Sequence, residues 1–173
     1  MGTRQGLFTM KSVAPTTASP SSSAEQLEAF IAKFEPATGA LIRKCRAEPR
    51  TILPTAVELV YDNYNFFVIG YCATARPSSC VVSLAAAANG VGHLLYRGAS
   101  LPDPEHLLQG AGKQNRFVRI PSVETLRVSG VLALIAAATA LAEPQLARQG
   151  GGHTVIQSVS AKQRPRRKAK NAA

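Results

Sequence analysis

Apolar residues recur at helical spacing near the start of the chain. Ser23 followed by Gln26 fits a capping box, so a first helix is expected to begin near Ala24. Proline is tolerated in a first helical turn, so Pro36 can open a second helix with an apolar inner face and a basic outer one. We expect Pro49 to mark the loop that follows. The apolar positions of the two helices are Leu27, Phe30, Ile31, Phe34, Leu41, Ile42 and Cys45.

The middle of the chain has the pattern of paired strands. Residues 57 to 71 form a β-rich run interrupted by Asp62 and Asn63, which favour a turn, so a hairpin is expected there. Asn89 and Gly90 stand between two apolar runs and predict a second hairpin with strands near residues 79 to 87 and 91 to 97. A short helix through residues 107 and 108 and a strand over 116 to 120 are expected to follow.

An alanine-rich helix is predicted to begin at Ser122 and to end at Glu143 and Pro144, before a short final strand over residues 153 to 159. Consecutive hairpins give an antiparallel sheet that helices with apolar faces must cover. The predicted class is therefore α+β. Two layers are expected, with an antiparallel or mixed sheet of five to six strands packed against N-terminal and C-terminal helices. The rival to a purely antiparallel sheet is a crossover within residues 98 to 115.

Composition adds a boundary at each end of this domain. The chain has 173 residues and a formal net charge of +10, but six of its twenty basic residues lie in the last thirteen positions. The remainder carries fourteen basic and ten acidic residues, a balance of +4. We predict a disordered leader over residues 1–22, the α+β domain over 23–160 and a basic disordered tail over 161–173.

Cysteine usage and the length of apolar runs bear on the compartment. Three cysteines without ligand spacing, and no signal peptide, favour a reducing cytoplasm. The longest uncharged run covers residues 128 to 142, shorter than the roughly 20 residues that a bilayer requires. A buried helix is expected there, with no membrane partner.

A glycine-containing loop before the strand at residue 116 is the first candidate site. Gly110 and Gly112 flank one residue and allow backbone N–H groups to converge, while Lys113 and Arg116 add positive charge. The loop predicts a phosphate or carboxylate site, and the alternative is a tight turn with two solvated cations. It lacks the spacing and hydroxyl residue of a Walker A loop, so a nucleoside triphosphatase is not expected.

Tyr61, Asn63 and Tyr64 could line a pocket beside that loop, or simply form a hairpin turn with tyrosine over the sheet edge. Asp62 has no partner in the sequence that would make it a general base. No catalytic residue is therefore predicted. The basic tail could contact nucleic acid or another polyanion, weakly and without sequence preference, or only solubilise the chain. Its cations are Lys162, Arg164, Arg166, Arg167, Lys168 and Lys170.

The sequence gives little indication of a metal site, a reactive cysteine pair or a serine nucleophile. His93, His106 and His153 stand far apart, so a three-histidine metal site would need a coincidence of the fold. Cys72 and Cys80 are separated by seven residues and are interpreted as small buried hydrophobic residues. The serines near residue 80 lack the glycine pattern of a nucleophile elbow, which argues against a serine hydrolase.

Several segments together resemble the YdhG-like family of uncharacterised bacterial domains. They are residues 61 to 64 (YDNY), residues 101 to 104 (LPDP), and Gly110-x-Gly112-Lys113 followed by Arg116. The resemblance covers roughly residues 25 to 170 and implies a frataxin-like α+β fold. By the same analogy it implies iron as a cofactor, but the first helix offers only Glu25, Glu28 and Glu35 for it.

The sequence as a whole favours a cytoplasmic, non-catalytic binding module for a small anionic ligand or a protein partner, without a cofactor. A polyanion-binding accessory protein that uses the tail is the first alternative. A frataxin-like iron chaperone is the second. The oligomeric state is not predicted.

Overall fold

The computed structural model describes residues 21–169 and shows an α+β protein with one six-stranded sheet. The strand order is β5-β4-β3-β2-β1-β6, and every neighbouring pair is antiparallel except β1 and β6, which are parallel. The predicted two-layer class is thus confirmed, and the sheet is mixed. The elements are α1 Ser23–Ile31, α2 Pro36–Ile52, β1 Val57–Asp62, β2 Phe67–Cys72, β3 Cys80–Ala87, β4 Gly90–Leu95, β5 Arg116–Arg119, α3 Ser129–Ala140 and β6 Thr154–Val159.

The two N-terminal helices form for the reasons seen in the sequence, with small shifts. The cap of α1 is Ser22, whose hydroxyl accepts from the Glu25 backbone while the Glu25 carboxylate accepts from Ser22, one residue earlier than predicted. Pro36 opens α2 as expected. Pro49 does not end it, since α2 continues to Ile52.

Two local predictions after β4 were wrong. Residues 101 to 109 form no helix, because the Asp103 carboxylate accepts from the backbone of Leu107 and Leu108 and holds an irregular turn. The segment after Ser122 first forms a single 3-10 helix, Val123–Arg127, before α3 begins at Ser129. The loop between β4 and β5 does not cross over either, since these strands pair antiparallel.

The helices cover one face of the sheet. The other face is only half-buried over β4, whereas Val57, Leu59 and Cys72 on β1 and β2 form a small buried cluster there. On β4, buried residues alternate with half-buried ones, as expected for a strand with a single packed face. The helix-covered face and the helices together form the main core. Its largest fully buried members include Leu27, Ile31, Phe34, Ile42, Phe67, Ile69, Tyr71, Leu84 and Leu95. The opposite face, which we call the open face, carries the candidate site.

The C-terminal segment is packed against the domain where the structure describes it. Arg166 is 5% exposed, and its guanidinium donates to the Asp62 carboxylate at 2.9 Å and to the carbonyl oxygens of Asn63 and Asn65. Asp62 is fully buried and also pairs with Lys33 at 2.5 Å. Residues 161–169 therefore include one arginine that is buried against the end of β1 and the residues that follow it. The predicted leader lies outside the described residues up to position 20, as do positions 170–173.

Candidate functional site

The glycine loop is closed on itself. Gly110 has φ +105°, and a Cβ there would lie 3.3 Å from the Phe117 ring. The Arg116 guanidinium donates to the carbonyl oxygens of Gly112 and Asn115, the latter at 2.9 Å. One of the two charges that were expected to attract an anion, that of Arg116, is thus directed at the loop's own carbonyl groups. The loop is a tight turn in which Lys113 is exposed, whereas Arg116 is half-buried and is not the second solvated cation of the tight-turn alternative.

The tyrosine segment lies in another part of the sheet. Tyr61 is on β1, and three strands separate β1 from β5. At about 4.8 Å per strand, four spacings place it roughly 19 Å from β5. Asn63 accepts from the Ser158 hydroxyl, and the Arg164 guanidinium lies 5.6 Å from the Tyr64 ring centroid. These residues therefore do not line one pocket with the glycine loop.

A depression of about 370 Å³ lies on the open face, and the strand register explains its shape. One cross-strand row runs from Val68 through Ala85 and Gly92 to Arg119. Small residues occupy its two central positions, so the middle of the face is recessed. The next row runs through Gly70, Ser83, Leu94 and Phe117.

Larger side chains close the sides of this depression. Phe66, Val68, Leu94, Tyr96 and Phe117 line it, and Phe66 is half exposed although it is aromatic. The lining is mainly apolar, as is usual for sites of small ligands, and the volume falls in the lower part of their range. Among the described residues that line it there is no carboxylate, imidazole or thiol.

Four polar side chains line the depression, those of Ser83, Asn89, Tyr96 and Arg119. Ser83 is fully buried, and its Oγ has no hydrogen-bond partner among the described residues. Burial raises the pKa of Tyr96 to about 12, and the nearby Ser83 hydroxyl opposes that rise, so the phenol stays protonated and can donate. The Arg119 guanidinium lies 5.9 Å from the Phe117 ring centroid and takes part in none of the ion pairs between described residues.

The residues of this depression could not be identified from the sequence alone, because small residues indicate a recess only when their positions in the sheet are known. Ser83, Ala85 and Ala87 alternate with apolar residues, and Gly90 and Gly92 do the same after the turn. Small residues at every second position of two paired strands predict a recessed face, but only once the register is known. No motif in the sequence indicates that Arg119 is a site residue.

The three histidines do not assemble. His93 is fully buried on the helix-covered face of β4, whereas His106 and His153 lie in loops. In the first helix, Glu25 caps the chain and Glu28 pairs with Arg43 at 2.8 Å. Within residues 21–169 no group of three or more histidine, cysteine, aspartate or glutamate side chains is placed to hold a metal ion.

The tail cations divide into two kinds. Arg166 is buried on Asp62, and the Arg167 guanidinium donates to the carbonyl oxygens of Ala32 and Lys33 although its side chain is exposed. Lys162, Arg164 and Lys168 are exposed, and Lys170 lies outside the described residues. The charge available to a polyanion is therefore smaller than the sequence suggests.

Comparison of the chain with protein-family models, with curated proteins and with solved structures gave no match. No helix within the described part of the chain is long and apolar enough to cross a bilayer.

Proposed function

We propose that this protein is a non-catalytic binding module for a small, largely apolar ligand that carries one anionic group. The depression on the open face is the observation that carries the proposal. It combines an apolar recess over Ala85 and Gly92 with a cation at its edge, Arg119, that no described carboxylate neutralises.

The recess supports the apolar part of the ligand. Ala85 and Gly92 oppose each other in the β3–β4 register, and Val68 and Leu94 rise beside them. Burying a methylene group from water contributes about 0.8 kcal/mol, so a short alkyl chain or one ring could supply several kcal/mol.

The edge of the depression supports an anionic group on the ligand. An arginine presents several N–H donors in one plane and suits a carboxylate, sulfonate or phosphate. The Tyr96 hydroxyl group offers a further donor within the depression. The absence of a carboxylate, imidazole or thiol from the described lining favours binding without chemistry.

Thermal unfolding of the full chain with octanoate tests the proposal. A ligand at about 100 times its dissociation constant adds about 2.7 kcal/mol to the free energy of unfolding. We expect octanoate to raise the melting temperature. Acetate, which has the charge alone, and 1-octanol, which has the alkyl chain alone, should raise it less.

Two variants assign the effect to the depression. Gly92→Val fills the recess, and its Cβ would meet only the Val118 carbonyl oxygen, at 3.6 Å, so the strand should tolerate it. Arg119→Gln removes the charge, and Arg148→Gln is its exposed control. The octanoate shift should vanish in Gly92→Val, shrink in Arg119→Gln and persist in the control. Equal shifts in all variants would refute the site.

A further inference from the structure

The two cysteines at the ends of neighbouring strands are opposite one another. Cys72 ends β2, Cys80 begins β3, and a bulge after Tyr71 brings them into direct register. Directly opposed residues of an antiparallel pair have Cα atoms about 4.5 to 5.5 Å apart. Disulfide-bonded cysteines have Cα atoms about 4.4 to 6.8 Å apart, so direct opposition of the two residues is compatible with a disulfide.

The sulfur atoms also converge. A Cβ placed on Gly70 would lie 3.0 Å from the Cys80 Sγ and 3.6 Å from the Cys72 Sγ, so both sulfurs border the same small space beside this glycine. Interaction with the Cys80 thiol lowers the pKa of Cys72, and the reciprocal interaction raises the pKa of Cys80. One thiol of the pair therefore loses its proton more readily than the other.

The pair is reduced, and only Cys80 is partly accessible, since Cys72 is 1% exposed. All three cysteines are free thiols, and Cys80 is half-buried where it lines a second, smaller depression of about 190 Å³ on the open face. Tyr61, Pro77 and Tyr96 also line it. Cys45 differs, because it is fully buried in α2, and burial raises its pKa to about 11.

We propose that Cys72 and Cys80 form a redox-active dithiol that a peroxide converts into an intramolecular disulfide. One cysteine sulfur attacks a peroxide oxygen, the O–O bond breaks, and a sulfenic acid and water are produced. The second sulfur attacks the sulfenic sulfur, the S–S bond forms, and the S–O bond breaks with loss of water. Overall, two thiols lose two protons and two electrons, and hydrogen peroxide is reduced to two molecules of water.

A disulfide between Cys72 and Cys80 would constrain the loop between β2 and β3. It closes a loop of seven residues, 73 to 79, that joins β2 to β3 and borders the open face. The inference does not depend on the proposed ligand, because it rests on strand register and sulfur proximity alone.

Peroxide treatment of the full chain tests the proposal. Free thiols, titrated after unfolding, should fall from three to one, and dithiothreitol should restore all three. Peptide mapping without reductant should yield a Cys72–Cys80 cross-linked peptide, with a mass lower by two hydrogen atoms. Persistence of three thiols, or a disulfide that includes Cys45 or a second chain, would overturn the proposal.

Cysteine variants provide the controls. Cys45→Ala should still lose two thiols, whereas Cys72→Ser and Cys80→Ser should each form no intramolecular disulfide. Loss of two thiols within one chain in either serine variant would also overturn the assignment. Because the cross-linked peptide is sought in the unmodified chain, the result does not depend on whether the serine variants fold.

Discussion

Replacing the buried His93 by leucine is expected to stabilise the protein and to reduce its sensitivity to acid. His93 is fully buried among core residues of the helix-covered face, between Leu84 and Val118 on the neighbouring strands. Neither ring nitrogen has a hydrogen-bond partner among the described residues. A buried polar group without a partner costs about 1 to 3 kcal/mol, and an apolar side chain of similar size avoids that cost.

The pH dependence follows from the same burial, which lowers the pKa of His93 from 6.5 to about 4. Between these values the unfolded chain takes up a proton that the folded chain does not, so the free energy of unfolding falls as the pH falls. The loss of unfolding free energy begins as the pH falls below 6.5 and is nearly complete at pH 4. Each pKa unit corresponds to about 1.4 kcal/mol, so the total is about 3 kcal/mol.

Urea unfolding of both proteins at neutral pH and near pH 4.5 measures the effect. We expect His93→Leu to be more stable by about 1 kcal/mol or more at neutral pH, and the difference to grow by about 2 to 3 kcal/mol in acid. Carboxylates contribute equally to both proteins and cancel in the difference. The exposed His153, changed to glutamine, is the control. A less stable His93→Leu protein, or a difference independent of pH, would refute the reasoning.

Three further predictions concern the C-terminal part of the chain. Arg166→Ala should lower the free energy of unfolding in urea by about 3 kcal/mol, because the fully buried Asp62 loses one of its two cations. An unchanged urea midpoint would contradict the packed contact. Glutamine at three exposed tail cations should lower the salt concentration at which the chain leaves a heparin column without changing stability, and unchanged elution would place the polyanion surface elsewhere. These cations are Lys162, Arg164 and Lys168. Gly152→Ala should lower the free energy of unfolding by about 1 to 3 kcal/mol, since its Cβ would clash with the Ala56 carbonyl oxygen. Gly151→Ala, where a Cβ would meet open space, should be neutral.

Local signals in the sequence were enough to predict most elements. Pro36 opens α2, and Asn89 lies in the two-residue turn between β3 and β4, because proline and asparagine act through their own backbone preferences. The same local signals failed at Pro49, where packing of the last turn of α2 keeps the helix continuous despite the proline.

Contacts between distant residues could not be predicted. The parallel pairing of β6 with β1 and the burial of Arg166 on Asp62 join positions about a hundred residues apart, and no local pattern encodes them. Asp62 was interpreted as a turn residue, yet it ends β1 and is buried. The opposed Cys72 and Cys80 became visible only with the register of β2 and β3.

Backbone chemical shifts recorded with and without octanoate test the central proposal most directly. We expect the largest changes in chemical shift to centre on Ala85, Gly92 and Phe117, on the open face, and to saturate as octanoate is added. Changes centred on the glycine loop around Lys113, or no saturable change at all, would contradict it.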